Sequence, residues 1–225
     1  MMLHITACVP TSNLLIQRSM AKLFQSFLYS HLPNKEHSGY VSGSGKIFKA
    51  MNFRIRYIQE RFEIDFVALN KTYEQKIALD ILKEGLKLGE IHFSDVTVSM
   101  QEWSLPSDVT QMEVQGYVCA ALKNRLTKRK IFLEPGDERH TQIITNNALQ
   151  KYEALLGKPY EGDLLITPYW QSLKPKIFWY EKTPYVAWLA KYAIEADTSM
   201  LQLLLDTGLG SDTMKNLGFL ELVDG

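Results

Sequence analysis

The stretch FRIRYIQERFEIDF, from Phe53 to Phe66, decides the fold. Phe53, Ile55 and Tyr57 alternate with Arg54 and Arg56; Phe62, Ile64 and Phe66 then alternate with Glu63 and Asp65. A period of two sends one set to a buried face and the other outward, which is the pattern of a strand. Two such runs joined only by Gln59, Glu60 and Arg61 make a hairpin.

Upstream of this hairpin, Leu3, Ile5, Ala7 and Val9 alternate with His4, Thr6 and Cys8, a first strand. Thr11 or Ser12 can cap the helix that follows, whose apolar stripe is Ile16, Met20, Leu23, Phe24 and Phe27 and whose polar face carries Gln17, Arg18, Lys22 and Gln25. Leu32 to Lys46, with Pro33, Asn34, Gly39, Gly43 and Gly45, reads as loop. Downstream, Thr72 opens a helix through Ile77, Ile81 and Leu82 to about Leu88, and a strand from Ile91 to Gln101 closes the unit. The order is βαββαβ, the ferredoxin-like arrangement.

The second half repeats the plan without any visible sequence repeat. A strand at Val114–Leu122 precedes a helix from Glu138 to Leu156. Strands follow at Asp163–Thr167 and Tyr185–Ala196, then a short helix at Ser199–Leu205 and a last strand at Phe219–Val223. A further strand at Lys176–Tyr180 pairs with the Tyr185 strand. The fold class expected is therefore α+β: two tandem ferredoxin-like domains, 1–103 and 110–225. Pro106 and Ser107 mark the linker between Trp103 and Val109.

Composition narrows the function. The 225 residues are 46% hydrophobic, with Lys and Arg balancing Asp and Glu at zero net charge. That is a globular composition without a global nucleic-acid signature. Cys8 and Cys119 belong to no ligand-spaced motif and fit reduced thiols. No apolar run approaches the roughly 20 residues that span a bilayer, and the alternating N-terminus is not a signal peptide. A cytoplasmic protein without membrane attachment is expected.

Charge is nonetheless local. From Arg18 to Arg61 the basic residues Arg18, Lys22, Lys35, Lys46, Lys49, Arg54, Arg56 and Arg61 are met only by Glu36 and Glu60. Lys123, Arg125, Lys128, Arg129 and Lys130 form a second basic stretch with no acid between Val114 and Leu133. Acids gather from Glu195 to Asp224. Two basic stretches on a neutral chain can form one groove for a phosphate backbone, although a charge run is more often a solvated face.

Several chemistries are excluded by spacing. GYVSGSGK, Gly39 to Lys46, lacks the first glycine of a phosphate-binding P-loop, since Tyr40 stands there, and Ile47 replaces its Ser or Thr. His4, His31, His37, His92 and His140 show no metal-ligand spacing, and no nucleophile elbow is present. No metal and no cofactor are expected. His37, in a polar glycine-bearing loop, is the side chain best suited to proton transfer; its ordinary alternative is a solvated loop histidine. Tyr40 and Lys46 share the loop, and Lys46 is suited to stabilising charge on a phosphate. The C-terminal GLGSDTMKNLGF, Gly208 to Phe219, suggests a shaped loop whose amides can cradle phosphates, or a plain hairpin with turn glycines.

The chain resembles the CRISPR-associated repeat-processing endoribonucleases, the sixth numbered family within the repeat-associated mysterious protein superfamily. The resemblance rests on the glycine-rich motif Gly208, Leu209, Gly210, then Gly218 and Phe219; on His37 through Gly45, Lys46 and Phe48 after a helix; and on the segment from Lys130 to Asp137 before a helix. It implies metal-independent cleavage of precursor CRISPR RNA within its repeats. His37 would be general acid or base and Lys46 the stabiliser of the pentacovalent phosphate. A tyrosine frequent on the family's first helix is Gln25 here, with Tyr29 or Tyr40 as substitutes in space. The RNA would lie between the domains, against Lys49, Arg54, Arg56, the stretch Lys123, Arg125, Lys128, Arg129 and Lys130, and the loop residues Gly208, Gly210, Lys215 and Gly218. The alternative is a non-catalytic crRNA-binding subunit of a CRISPR effector complex. Oligomeric state, monomer or homodimer, is not legible.

Overall fold

The period-two hairpin of the sequence is the heart of the first sheet. The structure, a computed structural model, describes residues 1–8, 14–58, 60–93, 95–124, 126 and 129–223, with backbone only over 14–17. Val9, Thr11, Ser12, Gln59, Arg125, Lys128 and Asp224, and the side chains of Ile16 and Gln17, lie outside the described residues.

The N-terminal half runs β1 (Met2–Cys8), α1 (Leu14–His31), α2 (Asn34–Ser38), β2 (Tyr40–Val41), β3 (Ile47–Phe48), β4 (Met51–Ile58), β5 (Arg61–Ala68), α3 (Thr72–Glu84), β6 (Leu86–Leu88), β7 (Ile91–Phe93) and β8 (Thr97–Gln101). The main sheet has the order β4-β5-β1-β8, every neighbour antiparallel. Leu3, Ile5, Phe53, Ile64 and Phe66 are buried under Phe24 and Phe27 of α1 and Ile77 and Ile81 of α3. Phe24 meets Phe53 edge-on at 5.1 Å, a geometry that adds to area burial.

The C-terminal half runs β9 (Gln111–Val118), β10 (Ala120–Lys123), β11 (Lys130–Leu133), α4 (Glu138–Leu156), β12 (Leu165–Gln171), β13 (Lys176–Tyr180), β14 (Thr183–Glu195), α5 (Thr198–Thr207) and β15 (Glu221–Leu222). Its sheet order is β12-β14-β9-β15, again antiparallel, with β13 returning on β14. Counting only the strands of each βαββαβ unit, both sheets place the second, third, first and fourth strands side by side. Two ferredoxin-like units stand in tandem.

The differences from the sequence reading are local and have physical causes. Leu32–Lys46 is not all loop: Pro33 precedes the one-turn helix α2, and Gly39 at φ 84 ends it. The hairpin of β2 and β3 follows. Helix α3 stops at Glu84 because Gly85 takes φ 78, a conformation free of penalty only for glycine. Leu86–Leu88 then pairs with Ile91–Phe93, so the expected closing strand is split into β7 and β8. The expected last strand shrinks to Glu221–Leu222 because Phe219 turns inward, against Met2 and Val67. Helix α4 and strand β13 fall where the sequence placed them.

The glycine-rich segment joins the two halves. Met214 sits in the first core. The Asn216 side chain accepts from Ile55 N at 2.6 Å and donates to Ile55 O at 3.2 Å, so one amide acts as a strand neighbour for the free edge of β4.

Candidate nucleic-acid interface

Between the halves lies a cavity of about 430 Å³ whose lining is dominated by lysine. Lys46 and Lys49 come from the β3 region, Lys123 from β10, Lys130 from β11, Lys151 from α4 and Lys215 from the glycine-rich segment. Among the described residues, the only acidic side chain in its lining is Asp212, and Lys130 (2.5 Å) and Lys215 (2.6 Å) both bond to it. Those bonds hold the Asp212 carboxyl below its ordinary range although burial works the other way. Such an excess of ammonium groups in a concave, partly desolvated site focuses positive potential on whatever enters.

The lysines are held differently. Lys46 donates to Asn147 Oδ1 of α4; burial lowers its pKa, Asp212 opposes and nearby Lys130 reinforces the shift. Lys49 donates to the carbonyls of Glu36 and His37, with its ammonium 5.1 Å from the Tyr29 ring centroid. Burial lowers its pKa and Glu36 opposes. For Lys215, burial is outweighed by bonds to Asp212 and to the Tyr185 hydroxyl, and its pKa is raised. Lys130 and Lys215 both lie on the ring of Tyr185, at 4.8 and 4.4 Å.

The glycine-rich loop forms one wall and owes its shape to backbone contacts. Cys119, at the break between β9 and β10, bridges to Gly210, and Ser211 N donates to Cys119 O at 2.8 Å. A Cβ on Gly218, at φ 71, would sit 2.3 Å from Leu209 O. Gly208 and Gly218 are therefore buried shape-givers, and only Gly210 reaches the cavity lining. Lys215 reaches it as well, from the 3₁₀ turn Thr213–Lys215.

Of the residues singled out in the sequence, the cavity gathers Lys46, Lys49, Lys123, Lys130, Gly210 and Lys215. Arg129 is exposed in the β10–β11 connection. Arg54 and Arg56 stand elsewhere, on the outward face of β4. Arg54 bonds to Asp65 (2.7 Å) and Glu221 (2.6 Å), and Arg56 to Glu63 (2.9 Å) and Asp65 (3.2 Å). Glu221 of the second half meets that face, and Asp65 beneath the arginines is only 1% exposed. Arg54 thus bridges the halves through Glu221, whereas Arg56, 40% exposed, bonds mainly within its own half and reaches Glu221 at 3.7 Å.

His37 is exposed on α2, not in a free loop, with its ring 4.8 Å from that of Tyr29. It is absent from the cavity lining, and Lys49, bonded to its carbonyl, links the two. The Tyr40 hydroxyl donates to Glu36 Oε1 at 2.8 Å, and burial together with that carboxylate raises its pKa. Of the two tyrosines that could replace the one missing at Gln25, Tyr29 is thus the one against His37. Gln25 itself lines the cavity and accepts from the Tyr180 hydroxyl.

The sequence reading missed Asn147, Lys151 and Asp212. Lys151 lies on the apolar stripe of α4, three residues after Ala148 and seven after Ile144, and is 1% exposed. A lysine on a stripe was the available signal, but such a residue ordinarily snorkels to water.

Residues 117–222 match the profile of a family described as CRISPR associated protein Cas6, C-terminal. Over these residues the chain is similar to the Cas6 family. Solved structures extend the likeness of fold over the whole chain. One described as a RAMP protein binding different RNA substrates has a TM-score of 0.75 at 14% identity, covering 100% of each chain. A Cas6-related protein from Pyrococcus furiosus has a TM-score of 0.72 at 15% identity, covering 100% of this chain and 98% of that one. A Cas6 product complex has a TM-score of 0.67 at 12% identity, covering 99% of each. A search of curated proteins by sequence found no match. Among the described residues, no helix is long and apolar enough to cross a membrane.

Proposed function

We propose that this protein is a metal-independent endoribonuclease of the Cas6 kind that cuts precursor CRISPR RNA within its repeats. The observation that carries the proposal is the lysine-lined cavity walled by the glycine-rich loop, in a chain whose solved relatives of like fold are described as bound to RNA substrates or cleavage product. Two domains, 1–103 and 110–225, would hold the repeat RNA between them.

In this reading the 2′-hydroxyl next to the cut attacks the adjacent phosphate. The P–O bond to the 5′ oxygen of the following nucleotide breaks, leaving a 2′,3′-cyclic phosphate and a 5′-hydroxyl. Lys46 neutralises charge on the pentacovalent phosphate, as a preorganised ammonium in a partly desolvated site does. His37, against Tyr29 and tied through its carbonyl to Lys49, moves the proton at the rim. Lys123, Lys130 and Lys215 position the flanking backbone.

One observation favours a second reading, a non-catalytic crRNA-binding subunit of an effector complex: among the described residues, the cavity lining contains no histidine. Incubation with the cognate repeat RNA in excess chelator separates the two. Cleavage to a cyclic-phosphate end, lost in His37→Ala while RNA affinity stays within about twofold, supports the nuclease. Binding without cleavage supports the subunit, and cleavage that disappears with chelator defeats the metal-independent mechanism.

A further inference from the structure

We propose that Lys151 is a positioning residue of this cavity: its buried ammonium locks the end of α5, and with it the start of the glycine-rich loop, and the bound phosphate supplies its missing counter-charge. The inference rests on the reading above only in taking the cavity's ligand to be a chain bearing phosphate groups.

The geometry is specific. Lys151 Nζ donates to Thr207 O at 2.9 Å and to Gly208 O. These carbonyls end α5, where the last turn has no partners of its own and the helix dipole favours a cation. One turn earlier on α4, Asn147 donates to Ser211 Oγ at 2.9 Å and accepts from Lys46. Helix α4 therefore grips the loop at two points, Gly208 and Ser211, and both grips touch the cavity lining.

What Lys151 lacks among the described residues is an anion. The charged group acting on it is Lys46, from the β3 side, which repels. Asp212 of the loop is bonded to Lys130 and Lys215, Asp206 of α5 is bonded to Lys71, and Lys49 and Lys123 add positive charge to the lining. Burial, then Lys46, brings the Lys151 pKa down to about 7. A phosphate entering the cavity reverses that balance, so binding takes up a proton and the loop is locked when ligand is present.

Polyuridylate and, in parallel, inorganic polyphosphate are titrated calorimetrically into the wild-type protein just above neutral pH, in two buffers of different ionisation enthalpy. Uptake of about one proton is expected, with affinity falling by up to about tenfold per pH unit above neutrality. Lys151→Met is expected to abolish that uptake, and Lys151→Arg to bind without the pH slope because guanidinium stays charged. The wild type also reports directly: one lysine ¹³Cε resonance should titrate near neutrality and cease to do so when either polyanion is bound. Absence of proton uptake, uptake unchanged in Lys151→Met, no lysine titrating near neutrality, or no binding of either polyanion each overturns the proposal. Polyuridylate contains no repeat, so failure of repeat cleavage leaves this test intact. If polyuridylate alone fails to bind, polyphosphate still decides the role of Lys151, and the RNA reading is decided by the cognate repeat.

Discussion

Substituting alanine at two glycines that share a conformation but not their surroundings isolates the role of the glycine-rich loop. Gly157, after α4, has φ 73 and nothing within 4 Å of an added Cβ. Gly218 has φ 71, but its Cβ would lie 2.3 Å from Leu209 O and 2.9 Å from Thr213 Cγ2. The left-handed conformation costs alanine about 1–2 kcal/mol at either site, offset by about 0.4–1 kcal/mol from the stiffer unfolded chain. Gly157→Ala should therefore lose about 1 kcal/mol, which lowers Tm by about 2–4 °C in a chain of this size. In Gly218→Ala the backbone must move, endangering the bonds Leu209 N to Gly218 O (2.9 Å) and Gly218 N to Tyr117 O (2.8 Å). At about 1 kcal/mol each, the loss rises to about 3 kcal/mol and the Tm shift to about 6–12 °C. Urea and thermal unfolding followed by circular dichroism measure both. RNA affinity should fall several-fold in Gly218→Ala and hold in Gly157→Ala, because Lys215 rides on the displaced loop. Equal stability losses in the two variants would refute the reasoning.

Other perturbations discriminate between binding and structural roles. Lys123→Ala should reduce the slope of log affinity for single-stranded RNA against log salt by about 0.7, the value for one lost phosphate contact. Arg54→Ala should cost about 2 kcal/mol in chemical denaturation, because Asp65 loses its bonds from Arg54 and keeps only His4 (2.6 Å) and Arg56 (3.2 Å), while RNA affinity stays near wild type. For Lys151, a folded pKa of about 7 lies below the ordinary 10.5. The unfolded chain thus binds more protons between those values, and this group's contribution to unfolding free energy rises as pH climbs. The stability of wild type relative to Lys151→Met should increase by about 1.4 kcal/mol per pH unit from about pH 7 to about pH 9; a flat difference contradicts it.

The fold was largely legible because both sheets and the larger helices are amphipathic, and period counting finds amphipathic elements. Strand β13 and helix α4 emerge at the expected residues for that reason. Helix α2 has a single turn and the β2–β3 pair two residues a side, too short for any period to show. Alternation also assigns a face without saying what covers it. Arg54 and Arg56 point away from their own core as expected, yet that face also meets Glu221 of the second half. The candidate site was legible where charge is dense, since Lys46, Lys49, Lys123, Lys130 and Lys215 line one cavity. It was not legible where one lysine among apolar neighbours, Lys151, depends on helix α5 arriving from about fifty residues downstream to supply its acceptors.

The most direct test of the cavity as the RNA site is lysine acetylation footprinting, read by mass spectrometry, with and without the cognate repeat RNA. Lys46, Lys49, Lys123, Lys130 and Lys215 should be protected together, while the exposed Lys83, Lys87 and Lys158 react unchanged. Uniform protection across both groups, or protection confined to lysines outside the cavity, would contradict it.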